Sequence, residues 1–171
     1  MATPEDLQEP KPGVYRIDPD ASTIRFATRS LFGLVPVKGT FAIEQGQLAV
    51  AESAADSTVD VVVRADSFDT GNAKRDEHVR SADFLHVSDH PEIRFRSQGP
   101  QRDGEATLHG ELTVQGVSQP SVLTIESVTV DDAGLTVRAG TTVDRYAFGV
   151  TKSKGMAGRY LSITLDVVAA R

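Results

Sequence analysis

The chain has no cysteine and no tryptophan among its 171 residues. Without cysteine there is no disulfide, no thiol nucleophile, and no Cys-ligated zinc or iron–sulfur site. Long apolar runs are missing as well, and none approaches the roughly 20 residues that a membrane-spanning helix needs. Concentrated positive charge is also absent: 18 Lys and Arg stand against 24 Asp and Glu, giving a net charge of −6, and the bases form no run. Phosphate binding requires clustered bases, so a nucleic-acid partner is disfavoured. The acidic balance likewise argues against electrostatic docking on an anionic membrane and against stable membrane insertion. What is present is ordinary for a globular protein, with 39% hydrophobic and 25% charged residues in a length that suits one domain with a real core.

The opening "MATPEDLQEPKPG" has neither a basic n-region nor an apolar h-region, which leads to the expectation of a cytoplasmic protein. Residues 1–12 carry Pro4, Pro10 and Pro12 in polar company and read as a flexible tail; residues 13–171 read as the folded domain. From there a period of two dominates. "STIRFAT" sets Ile24 and Phe26 opposite Thr23 and Arg25, and "RYLSITLDVVA" sets Leu161, Ile163, Leu165 and Val167 opposite Tyr160, Ser162, Thr164 and Asp166. "VDVVVRA" at 59–65 is apolar on nearly both faces, which predicts a cover on its outer side. Separators such as "DPDAS", "EQGQ", "QGVSQP" and "DDAG" carry turn chemistry, so the pattern predicts roughly eight to ten strands. One helix is expected, with Asn72 capping "AKRDEHVR" and Asp76 placed i,i+4 before Arg80. The class is all-β, an antiparallel barrel or sandwich.

The order of motifs is more specific than any one of them. "YRIDPDASTIRFATRSLFGLVPVKGTF" at 15–41 is followed by "DSFDTGNAKRDEHVRSADFLHVSDHPEIRFRS" at 66–97, "GELTVQGVSQPSVLTI" at 110–125, "VDRYAFGV" at 143–150 and the closing "YLSITLDVVA". Together they resemble the YceI-like family of lipocalin-like, polyisoprenoid-binding proteins over nearly everything beyond the tail. The resemblance implies an extended eight-stranded antiparallel barrel with a helix between the middle strands. It also implies an apolar pore holding a polyisoprenoid, an isoprenoid quinone or a fatty-chain lipid, with no cofactor beyond that ligand. An eight-stranded barrel is just wide enough to be filled by its own side chains or to hold one slender ligand. A supply of only seven Phe and no Trp leaves room inside.

Alternation and the resemblance together select Phe26, Phe41, Val61, Phe68, Phe95, Leu112, Leu123, Phe148, Ile163 and Leu165 for the pore. Arg75, Asp76 and His78 match the family's "RDxH" segment, and with Arg145 they are the candidates to meet a head group, or else to dock the helix and the "YAFGV" bend. His78, His86 and His90 with Asp83 and Asp89 fit no compact zinc pattern, so no metal is expected. Asp76, His78 and Ser81 form a triad only on paper, there is no GxSxG elbow, and no catalytic residue is assigned. "TKSKGMAG" at 151–158 lacks the phosphate-loop order and reads as a mobile connection. The leading expectation is a non-enzymatic carrier or store for a long amphiphile. The alternatives are an enzyme acting on such a lipid and a packed barrel serving as a protein-interaction module, and a homodimer is compatible with all three.

Overall fold

A computed structural model describes residues 7–103 and 105–171, where the alternating segments form ten strands and one α-helix. The strands are β1 (Gly13–Ile17), β2 (Thr23–Ser30), β3 (Val35–Val50), β4 (Thr58–Asp69), β5 (Glu92–Gln98), β6 (Gln101–Asp103), β7 (Glu105–Val114), β8 (Val117–Val130), β9 (Gly134–Asp144) and β10 (Tyr160–Ala170). The helix α1 (Ala73–Arg80) lies between β4 and β5. Eight strands close a ring in the order β2-β3-β4-β5-β7-β8-β9-β10, because β10 pairs with β9 along its whole length and also with β2. Every pairing within the ring is antiparallel, giving the expected all-β barrel with a helix between middle strands. β1 wedges between β3 and β10 where β2 has not yet begun, and the short β6 pairs with β7. Closure leaves no free edge in the ring to template aggregation.

Two separators proved to be parts of strands. "EQGQ" reads as a turn, but β3 runs through it with a register shift between Ile43 and Gln45. β3 shifts again between Thr40 and Ala42, and a third shift, between Ile125 and Ser127, interrupts β8 against β9. Such bulges add twist and bend, which is what lets long strands curl into a closed wall. Of "QGVSQP" only Gln115 and Gly116 turn, both at positive φ, while Val117–Pro120 already pair with β7. That two-residue connection is the hairpin geometry that matches strand twist.

Helix α1 caps one end of the barrel. The Asn72 side chain accepts from the Arg75 amide at 3.1 Å, closing its first turn as the sequence predicts. Its polar anchors reach the end of β4 and the residue after it: Asp76 accepts from the Thr70 amide at 3.0 and 3.1 Å and from the Thr70 hydroxyl at 2.6 Å, and Arg80 donates to the Phe68 carbonyl at 2.6 Å. The helix therefore sits at the barrel's end rather than over the outer face of 59–65. Val62, which points outward yet is buried, pairs with Gln45 and Arg94, whose long side chains share that face.

Burial pushes the Asp76 carboxyl up, but the Thr70 hydrogen bonds, with Arg80 and Arg75 close by, outweigh it and hold the group below the usual carboxylate range. A depressed folded-state value contributes stability that is present above the ordinary carboxylate range and lost as pH falls through the lowered one. Asp76→Ala leaves a half-buried hydroxyl and amide without their acceptor and is expected to cost about 2–4 kcal/mol. Urea melts at neutral and acidic pH check this, since the difference between variant and parent shrinks on acidification if Asp76 is the helix anchor.

Candidate functional site

The wall of the barrel is the site. Inward positions of the strands surround an elongated cavity of about 470 Å³ that runs from one end of the ring to the other. That volume lies within the roughly 300–1,000 Å³ typical of small-molecule sites. At the helix end it is bounded by Val79, Phe84, Leu85, Arg145, Phe148 and Val150; at the opposite end by Leu7–Pro10, Glu52, Ser57 and Pro100. Between them the lining is almost wholly aliphatic and aromatic. An apolar cavity of this kind stays dry and takes apolar guests.

Inward-facing glycines help keep the tube open. Gly39 pairs with Phe26, and a β-carbon there would lie 2.4 Å from the Phe26 ring. Gly110, paired with Ser97 and so diagonal to Phe95, would set a β-carbon 2.7 Å from the Phe95 ring. Each ring lies flat over bare backbone on the neighbouring strand instead of crossing the lumen.

Phe41, Val61, Phe68, Phe95, Leu112, Leu123, Phe148, Ile163 and Leu165 line the cavity. Phe26 does not. It is inside the barrel and buried, but Phe68 stacks on it at 5.1 Å and Phe41 tilts against it at 5.6 Å, so two rings separate it from the space. Alternation fixes the face of a strand, not the depth at which a side chain is overlaid.

The four polar candidates do not converge. Arg75 donates from Nε to the Thr70 hydroxyl at 2.9 Å, and Asp76 holds the same residue. His78 is exposed, 2.9 Å from Asp83 and edge-on to Phe84. Arg75 and Asp76 anchor the helix, His78 ties its end to the turn that follows, and all three lie off the cavity wall. The paper triad also dissolves, since Ser81 donates to the backbone carbonyl of His78 while Asp76 faces Thr70. Among the described residues no group of His, Cys, Asp and Glu could hold a metal ion.

Arg145 is different. It opens a short 3-10 turn, Arg145–Phe148, is only 8% exposed, and borders the cavity. Its guanidinium donates to the carbonyls of Gly158 and Val150 at 2.8 Å and of Ala157 at 3.2 Å. Burial pushes its pKa down, with Tyr146 and Asp144 acting in the opposite sense. The neighbouring carboxylate, Asp144, is taken by Arg159 in a two-point pair at 3.0 and 2.9 Å. The result is a buried cation held by carbonyl dipoles at the end of an apolar tube, with N–H groups to spare.

The histidine-bearing stretch 71–90 therefore turns its ionisable groups away from the cavity and its apolar ones toward it. Val79, Phe84 and Leu85 border the space although they lie on no strand. The signal available was the "DFLHV" apolar cluster between polar neighbours, which no strand alternation would flag. At the other end the segment expected as a tail is engaged from Leu7, which bridges to Val128, while the Gln8 amide donates to the Val128 carbonyl at 3.0 Å. Residues 1–6 lie outside the described residues.

The barrel has close counterparts. In fold it is similar to BcnA of Burkholderia cenocepacia, with a TM-score of 0.76 at 20% identity over 91% of this chain and 99% of that one. It is similar also to a polyisoprenoid binding domain from Saccharophagus degradans, with a TM-score of 0.70 at 11% identity over 91% and 97% of the two chains. In sequence it is 35% identical to a UPF0312 protein of Ectopseudomonas mendocina across 78% of this chain and 74% of that relative. It is 37% identical to Protein YceI of Escherichia coli O157:H7 across 64% of this chain and 59% of that protein. No helix among the described residues is long and apolar enough to cross a membrane. Residues 15–169 match the YceI-like domain, and the chain belongs to the YceI-like family.

Proposed function

We propose that this protein is a binding protein, not an enzyme, whose ligand is one long amphiphilic lipid of the polyisoprenoid, isoprenoid-quinone or fatty-chain class. The observation that carries the reading is the continuous apolar cavity of about 470 Å³ along the barrel axis. Each buried CH2 contributes about 0.8 kcal/mol, so a slender tail drawn into a dry tube supplies most of the affinity. The fold neighbour described as a polyisoprenoid binding domain supports the same class. The head group lies toward Arg145, the buried cation that borders the cavity. Storage and transport follow from a tube that shields the tail from water.

Mass spectrometry of an organic extract from protein purified under native conditions tests the reading. A long-chain lipid at near-stoichiometric level is the expected result. A lipid recovered chemically altered after incubation identifies an enzyme, and an extract without any chain-bearing compound, from protein that also fails to take up added isoprenoid, identifies a packed interaction module.

A further inference from the structure

The hairpin joining β2 to β3 overhangs the barrel. β3 first meets β4 at Thr40, so Val35–Gly39 pair with β2 alone and the tip projects past the rim. Its residues are apolar and unburied: Phe32 is 79% and Leu34 80% exposed, and Leu31 and Val35 lie open beside them. Leu31, Phe32 and Gly33 all take positive φ, a conformation that non-glycine residues seldom adopt. A second loop fixes it there. The Leu31 amide donates to the Met156 carbonyl at 3.0 Å and the Phe32 amide to the Gly155 carbonyl at 2.6 Å. The Phe32 ring rests on Gly155, where a β-carbon would come 2.4 Å from it. Met156, in the same second loop, is exposed too. That loop is in turn held by Arg145 through the carbonyls of Ala157 and Gly158, which ties the tip to the end of the cavity.

Charge is segregated in the same place. Residues 21–43 and 145–165 contain no Asp or Glu, in a chain that has 24 of them. Arg29, Lys38, Lys152 and Lys154 are exposed around the tip, and none has a carboxylate partner among the described residues. Tyr146 is faced by three cations, Arg145 at 5.0 Å, Arg159 at 4.6 Å and Lys154 at 5.3 Å. The net charge of −6 therefore conceals one basic tip, to which the whole-chain balance does not apply.

We propose that this double-loop tip docks the barrel on the surface of an anionic lipid bilayer, inserting Leu31, Phe32, Leu34 and Met156 among the acyl chains while Arg29, Lys38, Lys152 and Lys154 meet the head groups. A few apolar side chains on a convex projection suit a deformable lipid surface; a stable protein interface buries about 800 Å² on each partner. Apolar insertion and basic residues are the two signals whose combination makes peripheral binding persist. The acidic remainder of the chain orients the tip toward such a surface and the rest away from it. Docked so, the Arg145 end of the cavity faces the membrane.

Co-sedimentation with vesicles of phosphatidylcholine alone and of phosphatidylcholine with phosphatidylglycerol tests the proposal, with lipid extracted from the same samples so that cavity occupancy is scored separately. The protein is expected to bind the anionic vesicles, more weakly as salt rises, and the neutral ones at least tenfold less. Phe32→Asp with Leu34→Asp should remove binding at an unchanged melting temperature and unchanged extracted lipid, since both side chains are exposed. Lys152→Ala with Lys154→Ala should weaken binding to the anionic vesicles on the order of fivefold for each base. Equal binding to both vesicle types, no binding to either, or full binding by both variants overturns the proposal. So does a dimer of the parent that the hairpin variant dissolves without any vesicle binding, which would assign the tip to self-association.

Discussion

Replacing Ala139 by Phe is expected to cut the lipid recovered with the protein at least tenfold while leaving the barrel folded. Ala139 lies in β9 opposite Ile125 on one side and Leu165 on the other, buried and bordering the cavity. A cavity of about 150 Å³ accommodates benzene, so one added ring occupies roughly a third of the space. The substitution adds apolar surface where there is empty volume, which is neutral or stabilising if the ring finds a rotamer. Leu123→Asp is the contrasting variant: it buries an unpaired charge in the same wall and should cost several kcal/mol, losing lipid and fold together. Thermal melts and quantified extracts of the two proteins separate occupancy from stability. Undiminished lipid in a folded Ala139→Phe protein places the ligand outside the barrel.

Arg145→Met is expected to loosen the helix end and weaken ligand binding together. The side chain keeps an unbranched apolar stem but can no longer donate to the carbonyls of Gly158, Val150 and Ala157, which lie in the loop between β9 and β10. Stacking of the guanidinium on Phe84 and Tyr146 is lost as well. Breaking such a buried network costs about 2–4 kcal/mol. Amides of 149–159 should then exchange with solvent much faster than in the parent, with those of β9 and β10 little changed. The head-group role adds a second readout. A diphosphate-headed lipid should lose more affinity than a neutral quinone with the same tail, because a charge-assisted hydrogen bond is the stronger one. Equal losses for the two lipids restrict Arg145 to bracing the loop.

The pattern of β10 shows what local sequence can settle. Leu161, Ile163 and Leu165 alternate with polar residues, and all three border the cavity. Alternation fixes the face because successive side chains on an extended backbone point to opposite sides. The same rule placed Val61, Phe95, Leu112 and Leu123 on the inner wall, and Asn72 marked the helix start because an N-cap acts within one turn. These are short-range properties, written in neighbouring residues.

Other features required chain segments far apart in sequence to meet. Phe26 follows the inward pattern, yet Phe41 and Phe68 cover it, and that depends on where β3 and β4 deliver their rings. "EQGQ" has turn composition, but pairing with β4 on one side overrides it and turns it into a bulge. Arg75, Asp76 and His78 carry the ionisable chemistry of the helix, and only its docking on the end of β4 shows that they lie off the cavity wall while Val79 faces the cavity. Sequence alone determined all-β walls with one apolar face, because the side-chain period is a property of the backbone, while the barrel was implied by the resemblance carried in the order of motifs. Tertiary structure alone decided that Arg145 borders the cavity, where a loop folds back onto its guanidinium, and that 21–43 and 145–165 share one basic, apolar tip, which depends on hydrogen bonds between residues more than a hundred positions apart.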